Sequence, residues 1–242
     1  MSAGFTTLSA RNRQPELMDQ PGLDETLHAH ALRSLSRINW VSRTSAMIWK
    51  PIHNLALTTR ARRPLRILDV ACGGGDVAVG LAHRAARAGI PVKVDGCDIN
   101  PVAIEHARGN AKRRQAKDVG FFQHDALNAP LPEGYDAVTC SLFLHHLDNT
   151  DAEQMLRSMG AAAGTIVVAS DLLRNRLAYL MAVIACRVLT RSPIVHVDGP
   201  LSVAAAFTLD EARELAERAG LSGATTARYF PERFLLVWRR PI

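Results

Sequence analysis

The 242-residue sequence contains four cysteines, Cys72, Cys97, Cys140 and Cys186, and no two of them stand in a C-x-x-C spacing. That scatter supports neither a zinc site nor a disulfide framework, so no metal is expected and a reducing cytoplasm is the expected compartment. Long apolar runs are missing as well. The longest, Leu177 to Cys186 with Val188 and Leu189 beyond Arg187, falls well short of the roughly 20 apolar residues needed to cross a bilayer. It is expected to form a buried helix, with an apolar lid over a greasy substrate as the other reading. Met1 to Gln20 is polar and carries no apolar core of the kind found in a secretory leader. No internal repeat and no low-complexity tract interrupts the chain.

What is present fits one α/β domain. At 48% hydrophobic residues the chain can bury a single large core. Its net charge of +6 raises the question of nucleic acid. The basic residues are scattered, with local clusters at Arg60–Arg66 and Arg108–Lys117. Solvated helix faces are the expected role, and no nucleic-acid partner is expected.

Arg66 to Ala78 reads R-I-L-D-V-A-C-G-G-G-D-V-A. An apolar run, Ile67 to Val70, meets three glycines and then a helix-forming run, which predicts a strand, a tight turn and a helix start. Glycine permits the sharp turn and the close approach of a ligand to the backbone. The first N–H groups of the helix then face that ligand. Gly73-x-Gly75-x-x-Ala78 also fits the dinucleotide fingerprint, and a turn without any ligand would look the same. Asp69 shifts the balance. A carboxylate four residues before Gly73 is poorly placed beside a pyrophosphate and better suited to a cationic ligand, such as the amino group and sulfonium of S-adenosylmethionine.

Three later segments extend the pattern. Val92 to Asp98 predicts a second strand ending in an acid 23 residues after Gly75, where a carboxylate can accept both ribose hydroxyl protons. Asn100-Pro101 then predicts a helix start, with Asn as N-cap and Pro at the first helical position. Gly120 to Asp125 predicts a third strand ending in an acid. Tyr135 to His146 predicts a fourth strand that runs into His145-His146. Taken singly, each acid could be an ordinary strand-end residue. Asp69, Asp98 and Asp125 in succession make a series.

On these residues the chain resembles the class I S-adenosylmethionine-dependent methyltransferases, and most of all the small-molecule group typified by ubiquinone and menaquinone biosynthesis C-methyltransferases. The matching stretch runs from Arg66 to Asp171, with a weaker match to the C-terminus. Ala71 stands where the family usually has its first glycine, a small change expected to be tolerated. The resemblance implies S-adenosylmethionine as cofactor, Asp98 on the ribose, Asp125 on the adenine amino group and the Gly73–Gly75 backbone on the methionine end. Asp69, Ala71, Ile99, Ala126 and Ser141 complete the candidate cofactor-binding set. The Leu-His145-His146-Leu sequence after the fourth strand is common in the same group.

Strands and helices alternate from Arg66, which predicts a mostly parallel sheet with helices on both faces. Gly164 to Asp171 is the expected fifth strand. Thr208-Leu-Asp-Glu211 predicts a capping box, and Gly220 closes that helix. Ala224 to Phe230 and Arg233 to Arg240 predict a hairpin across Pro231-Glu232, a feature the methyltransferase fold shares and a second mononucleotide half does not. The expected architecture is a Rossmann-like seven-stranded sheet of order 3-2-1-4-5-7-6, ending in this antiparallel hairpin. Within one domain of residues 1–242, residues 1–64 are expected to form an N-terminal helical cap, on which Leu23, Leu27, Ala31, Leu35 and Ile38 share a helical face. Residues 65–171 form the cofactor-binding core, 172–207 a lid-like insertion or a plain connection, and 208–242 a helix plus the hairpin.

Methyl transfer from an activated donor asks the protein mainly to position two reactants. A phenolic acceptor, with a reference pKa of about 10, gains from a base, and His is the usual choice. His146, His145 and His196 are the candidate catalytic residues, in that order. His196 and Asp198 are expected to lie in a turn as a base with a carboxylate neighbour, and either member of the His145-His146 pair could equally be structural. The Asn/Asp-Pro-Pro-aromatic run shared by enzymes that methylate base amines has no counterpart in Ser141 to His146. A small lipophilic, phenolic or quinone-like acceptor is therefore expected, with O- against C-methylation left open. A nicotinamide-dependent oxidoreductase and a non-catalytic cofactor-binding partner are the rival readings.

Overall fold

A computed structural model of the chain describes residues 8–17, 43–58, 63–190 and 192–241. The helical face expected over Leu23 to Ile38 lies outside these residues. Seven strands, β1 (Leu65–Val70), β2 (Val92–Asp98), β3 (Val119–Gln123), β4 (Tyr135–Ser141), β5 (Ala163–Leu172), β6 (Thr225–Tyr229) and β7 (Arg233–Arg239), form one sheet of order β3-β2-β1-β4-β5-β7-β6. β1 to β5 pair in parallel, while β7 runs antiparallel to both β5 and β6. The order and the closing hairpin match the expectation. β1 lies between β2 and β4, so the chain leaves β1 toward one edge of the sheet and returns to its other side. This leaves a crevice at the carboxyl ends of β1 and β4.

Among the described residues the helices are α1 (Thr44–Thr58), α2 (Asp76–Arg87), α3 (Pro101–Arg113), α4 (Asn149–Ala162), α5 (Arg176–Leu189), α6 (Pro193–Ala205) and α7 (Leu209–Arg218). Side chains alternate across each strand, so the sheet feeds two cores. Leu68 and Val70 join Met155, Leu156 and Met159 of α4 and Leu215 of α7. Ile67 joins Val77 and Leu81 of α2 with Ile48 and Ile52 of α1. The helix starts are set locally. The Asn100 side chain accepts the Val102 N–H with Pro101 at the first helical position, and Thr208 and Glu211 form a complete capping box.

β4 ends at Ser141; beyond it Leu142 takes a φ of 54° and Leu144–His146 form a single 3-10 turn, in which the His145 N–H donates to the Asp171 carboxylate at 3.0 Å. Three expectations change. β3 ends at Gln123, two residues before Asp125. The Pro193–Pro200 stretch is part of helix α6 rather than a turn, because Pro193 takes the first helical position, where its missing N–H costs nothing.

Finally, α5 is not a buried helix. Only Ala178 and Cys186 are buried in it, while Leu177, Leu180, Ile184 and Val188 form an exposed apolar stripe. α6 packs closely on the opposite side, because Gly199 leaves room for the Cys186 sulfur; a Cβ there would stand 2.3 Å from Sγ. No helix of the described residues is long and apolar enough to cross a membrane.

Gly75 precedes α2 with a φ of 74°, and a Cβ built on it would stand 2.7 Å from Phe121 and 2.9 Å from Ala107. Gly75→Ala should cost about 2–5 kcal/mol in urea unfolding, the sum of left-handed backbone strain and overpacking. A loss below about 1 kcal/mol would mean that the turn relaxes freely.

Candidate active site

The carboxyl ends of β1 and β2 are joined by one carboxylate. Asp98 Oδ2 accepts the Gly73 N–H at 2.9 Å, and Oδ1 accepts the Asn100 N–H at 3.0 Å. Asp98 thereby fixes both the glycine turn and the start of α3. Gly73 itself has a φ of 51°, and a Cβ on it would meet nothing within 4 Å, so this part of the turn is bare backbone facing open space. Ala71 also takes a left-handed φ, 52°. For a residue with a Cβ that costs about 1–2 kcal/mol, and such strain concentrates at functional sites. No side-chain cap closes the N-terminus of α2. Ile99 stands next to Asp98 and is 59% exposed.

Asp69 is set deeper. It is 1% exposed; Thr139 of β4 donates to its Oδ1 at 2.8 Å, and its Oδ2 is buried without a hydrogen bond. Burial pushes its carboxyl up to about 7, against the pull of the Thr139 hydroxyl and the nearby Ala78 N–H, with the Asp98 charge adding to the rise. Asp125 is engaged differently. It accepts from the Leu127 and Asn128 N–H groups, both at 3.1 Å, and from the Asn128 side chain at 2.9 Å. The Asn128 bonds hold its carboxyl below the ordinary range. The His124 N–H donates to the Asp98 carbonyl at 2.9 Å, which brings the Asp125-Ala126 turn beside the end of β2. Ser141 ends β4, next to Ser170 of β5. The candidate cofactor residues therefore share one edge.

The histidines do not form one group. His145, 4% exposed, has Nδ1 2.7 Å from Asp171 Oδ1, and Leu172 N–H donates to the same oxygen at 2.7 Å. Burial alone would push the Asp171 carboxyl up, but the His145 ring and these N–H groups outweigh it and hold the carboxyl below its usual range. An ionised Asp171 keeps the ring proton on Nδ1 and turns Nε2 toward Glu16 Oε1, 3.8 Å away. The His146 ring lies 4.2 Å from that of His145, its Nδ1 is 4.0 Å from the same Glu16 oxygen, and its side chain is 24% exposed. His196 lies apart. Its Nε2 is 2.8 Å from the Thr190 carbonyl, which can only accept, so this ring closes the α5–α6 connection. The expected His196–Asp198 pairing gives way to helix geometry. Two residues apart on α6 they face different ways, and Asp198 accepts the Leu17 N–H at 2.9 Å.

Residues 8–17 strap this region. Arg11 donates to the carbonyls of Ala205 and Leu147, both at 2.8 Å, and Arg13 to that of His146 at 2.8 Å. Ser202 of α6 donates to Glu16 at 2.6 Å. Glu16, Arg11, Arg13, Thr139 and Asp171 are absent from the expected site. Asp171 had a signal, since it ends the fifth strand by the rule that singled out three other acids. Glu16 had none.

Comparison with known proteins agrees with this geometry. A family profile described as a methyltransferase domain matches residues 67–163. An uncharacterised methyltransferase of Mycobacterium tuberculosis is 32% identical over 183 residues, covering 73% of this chain and 87% of that protein. The ubiquinone biosynthesis O-methyltransferase of Azoarcus is 33% identical over 125 residues, and the chain spans only 51% of its length. Among solved structures, magnesium protoporphyrin IX methyltransferase from Synechocystis with bound S-adenosylhomocysteine (SAH) aligns with a TM-score of 0.56 at 16% identity. That alignment covers 93% of this chain and 91% of the other, a likeness of fold. The residues present fit S-adenosylmethionine: a bare glycine turn, an uncapped helix N-terminus, and a buried carboxylate oxygen without a hydrogen bond that can take a cationic group.

Two outcomes follow from the acids. Asp98→Ala removes an acceptor and frees the Gly73 N–H, so the Kd for SAH in calorimetry should rise at least tenfold, about 1.4 kcal/mol; an unchanged Kd would rule Asp98 out. Asp69 has a folded pKa raised to about 7 from an ordinary 3.8, so it opposes folding where only the unfolded chain ionises it. Its penalty is absent below pH 4, grows between 4 and 7, and is fully present above 7. Without cofactor, Asp69→Asn should gain Tm over the parent chain across that window, and a Tm difference independent of pH would refute the assignment.

Proposed function

We infer the reaction from one premise: the chain belongs to the S-adenosylmethionine-dependent methyltransferase family. Bound S-adenosylmethionine supplies a methyl group already activated on a sulfonium. The Gly73–Gly75 backbone and the start of α2 would hold its methionine end, with Asp69 Oδ2 toward the amino group. Asp98 would take the ribose hydroxyls on the lone pairs that Gly73 and Asn100 leave over. Ile99 would cover the adenine, and Asp125 would accept from its amino group through Oδ2, which already takes one proton from Asn128.

We propose that the acceptor is a small lipophilic molecule, phenolic or quinone-like, methylated on oxygen or carbon. One observation carries this reading: an imidazole pair, with Phe143 6.1 Å from His146, just after β4, the strand beside β1, which leads into the glycine turn. Apolar and imidazole groups suit a phenol, whose proton has a pKa of about 10 and needs a base. The likeness to the ubiquinone-pathway enzyme of Azoarcus supports the same class. His146, the more exposed of the pair, would meet the acceptor proton. His145, locked by Asp171, is a positioning residue. His196, turned to Thr190, has no part in this reading. Four free thiols support a reducing compartment, the cytoplasm.

The test is a mass-shift screen of phenols and quinols with isotopically labelled methyl donor. With an acceptor in hand, His146→Ala should cost about 10²–10⁴ in turnover while SAH affinity stays within twofold. The rate should also fall at low pH as the imidazole is protonated. Labelling of none of these acceptors, or full activity in His146→Ala, would overturn the acceptor class or the role of His146 respectively.

A further inference from the structure

We propose that Glu16, His145 and His146 bind one divalent transition-metal cation on the acceptor side of the cleft. One ligand atom from each residue, a Glu16 oxygen and one ring nitrogen of each histidine, lies within 4.8 Å of the other two. The two nitrogens stand 3.8 Å and 4.0 Å from the same oxygen, Oε1. Two ligands at about 2.0–2.2 Å from one ion are roughly 3.0–3.5 Å apart, so the three atoms reach a common ion with a movement of less than about 1 Å.

The three groups converge on one point. His145 Nε2 and His146 Nδ1 approach the same Glu16 oxygen from two sides. The His145 and Glu16 side chains are nearly shut off from water, at 4% and 10% exposure. Convergence of two imidazole nitrogens on one carboxylate oxygen in a low dielectric is an arrangement that a shared cation would hold together.

The surroundings are those of a built site. A metal-bound imidazole ordinarily donates its other N–H to a carboxylate, as His145 does to Asp171 at 2.7 Å. Glu16 is oriented by the Ser202 hydroxyl at 2.6 Å. Two imidazoles and one carboxylate select zinc, cobalt, iron(II) or nickel over magnesium and calcium, which prefer all-oxygen shells. This departs from the sequence expectation of no metal. That expectation rested on cysteine spacing, whereas Glu16 and His145 are 129 positions apart. The role of the ion rests on the acceptor reading above: it would bind a phenolic oxygen and lower its pKa, the proton leaving to solvent, and with Nδ1 on the ion His146 would serve as a ligand in place of a base. Ion binding itself does not depend on that reading.

The full chain, stripped with a chelator and then freed of it, is titrated with Co²⁺ and with Zn²⁺ by calorimetry, with the visible absorption of Co²⁺ as a second readout. One ion per chain should bind, and millimolar Mg²⁺ should not displace it. His146→Ala and Glu16→Gln should each weaken binding at least tenfold, while His196→Ala should not change it. SAH binding reports folding in every variant; if Glu16→Gln fails it, His146→Ala, on a partly exposed residue, carries the test. No saturable binding of either ion, or one-ion binding that survives both substitutions, would overturn the site. A lack of turnover with any acceptor would count against the acceptor class and leave the titration standing.

Discussion

In a parallel sheet the strands end together at one edge, where the last backbone groups have no further rung of the ladder to join. Buried N–H groups there need acceptors. This chain meets the need with carboxylates. Asp98 takes the N–H groups of Gly73 and Asn100, Asp125 those of Leu127 and Asn128, and Asp171 those of His145 and Leu172. Each of these acids builds the turn that follows a strand, and the turns are what a cofactor and an acceptor would meet. Asp69 is the exception. Its carboxylate accepts from the Thr139 side chain and leaves one oxygen without a hydrogen bond, which suits a group that must answer to a ligand.

The same edge divides into two electrostatic regimes. On the β1–β2 side the acids face the glycine turn and an uncapped helix start, an arrangement that offers both acceptors and backbone donors. On the β4–β5 side Asp171 governs. By holding the His145 backbone and ring it decides which ring nitrogen carries the proton and which faces Glu16. The two sides meet at Thr139, which belongs to β4 and donates to Asp69 of β1. Asp69 and Thr139 therefore stand side by side in one register-locked pair of strands.

The His145-His146 turn is bound by residues from distant parts of the chain. Residues 8–17 are tied to the 3-10 turn through Arg11 and Arg13, and to α6 through Leu17 and Glu16. α6 in turn carries α5, whose apolar stripe faces outward. Arg174, 5% exposed, clamps the arrangement by donating to the carbonyls of Leu8 and Ala206 and to the Glu211 carboxylate. A buried guanidinium with this many acceptors fixes geometry more than it adds stability.

Much of the fold was legible because its causes are local. Asn100-Pro101 and Thr208 with Glu211 form their caps within a few residues, and a tight turn after an apolar run needs glycine wherever it occurs. Alternating strands and helices dictated a parallel sheet, and a short turn between two strands dictated the hairpin. The positions of Asp69 and Asp98 at the ends of β1 and β2 were legible for the same reason, since a strand end is a position in sequence. What only the tertiary structure decided involves partners far apart in the chain. Asp171, 26 positions from His145, holds the backbone N–H and the ring of that residue in the turn after β4. Gly199 lets α6 pack closely on Cys186 of α5, while Leu177, Leu180, Ile184 and Val188 stay exposed. Helix periodicity separated His196 from Asp198. Glu16, more than a hundred positions before the histidines it faces, carries no motif at all. Hydrogen bonds within a few residues are written into the sequence as patterns, whereas contacts between distant residues exist only once the backbone has brought them together.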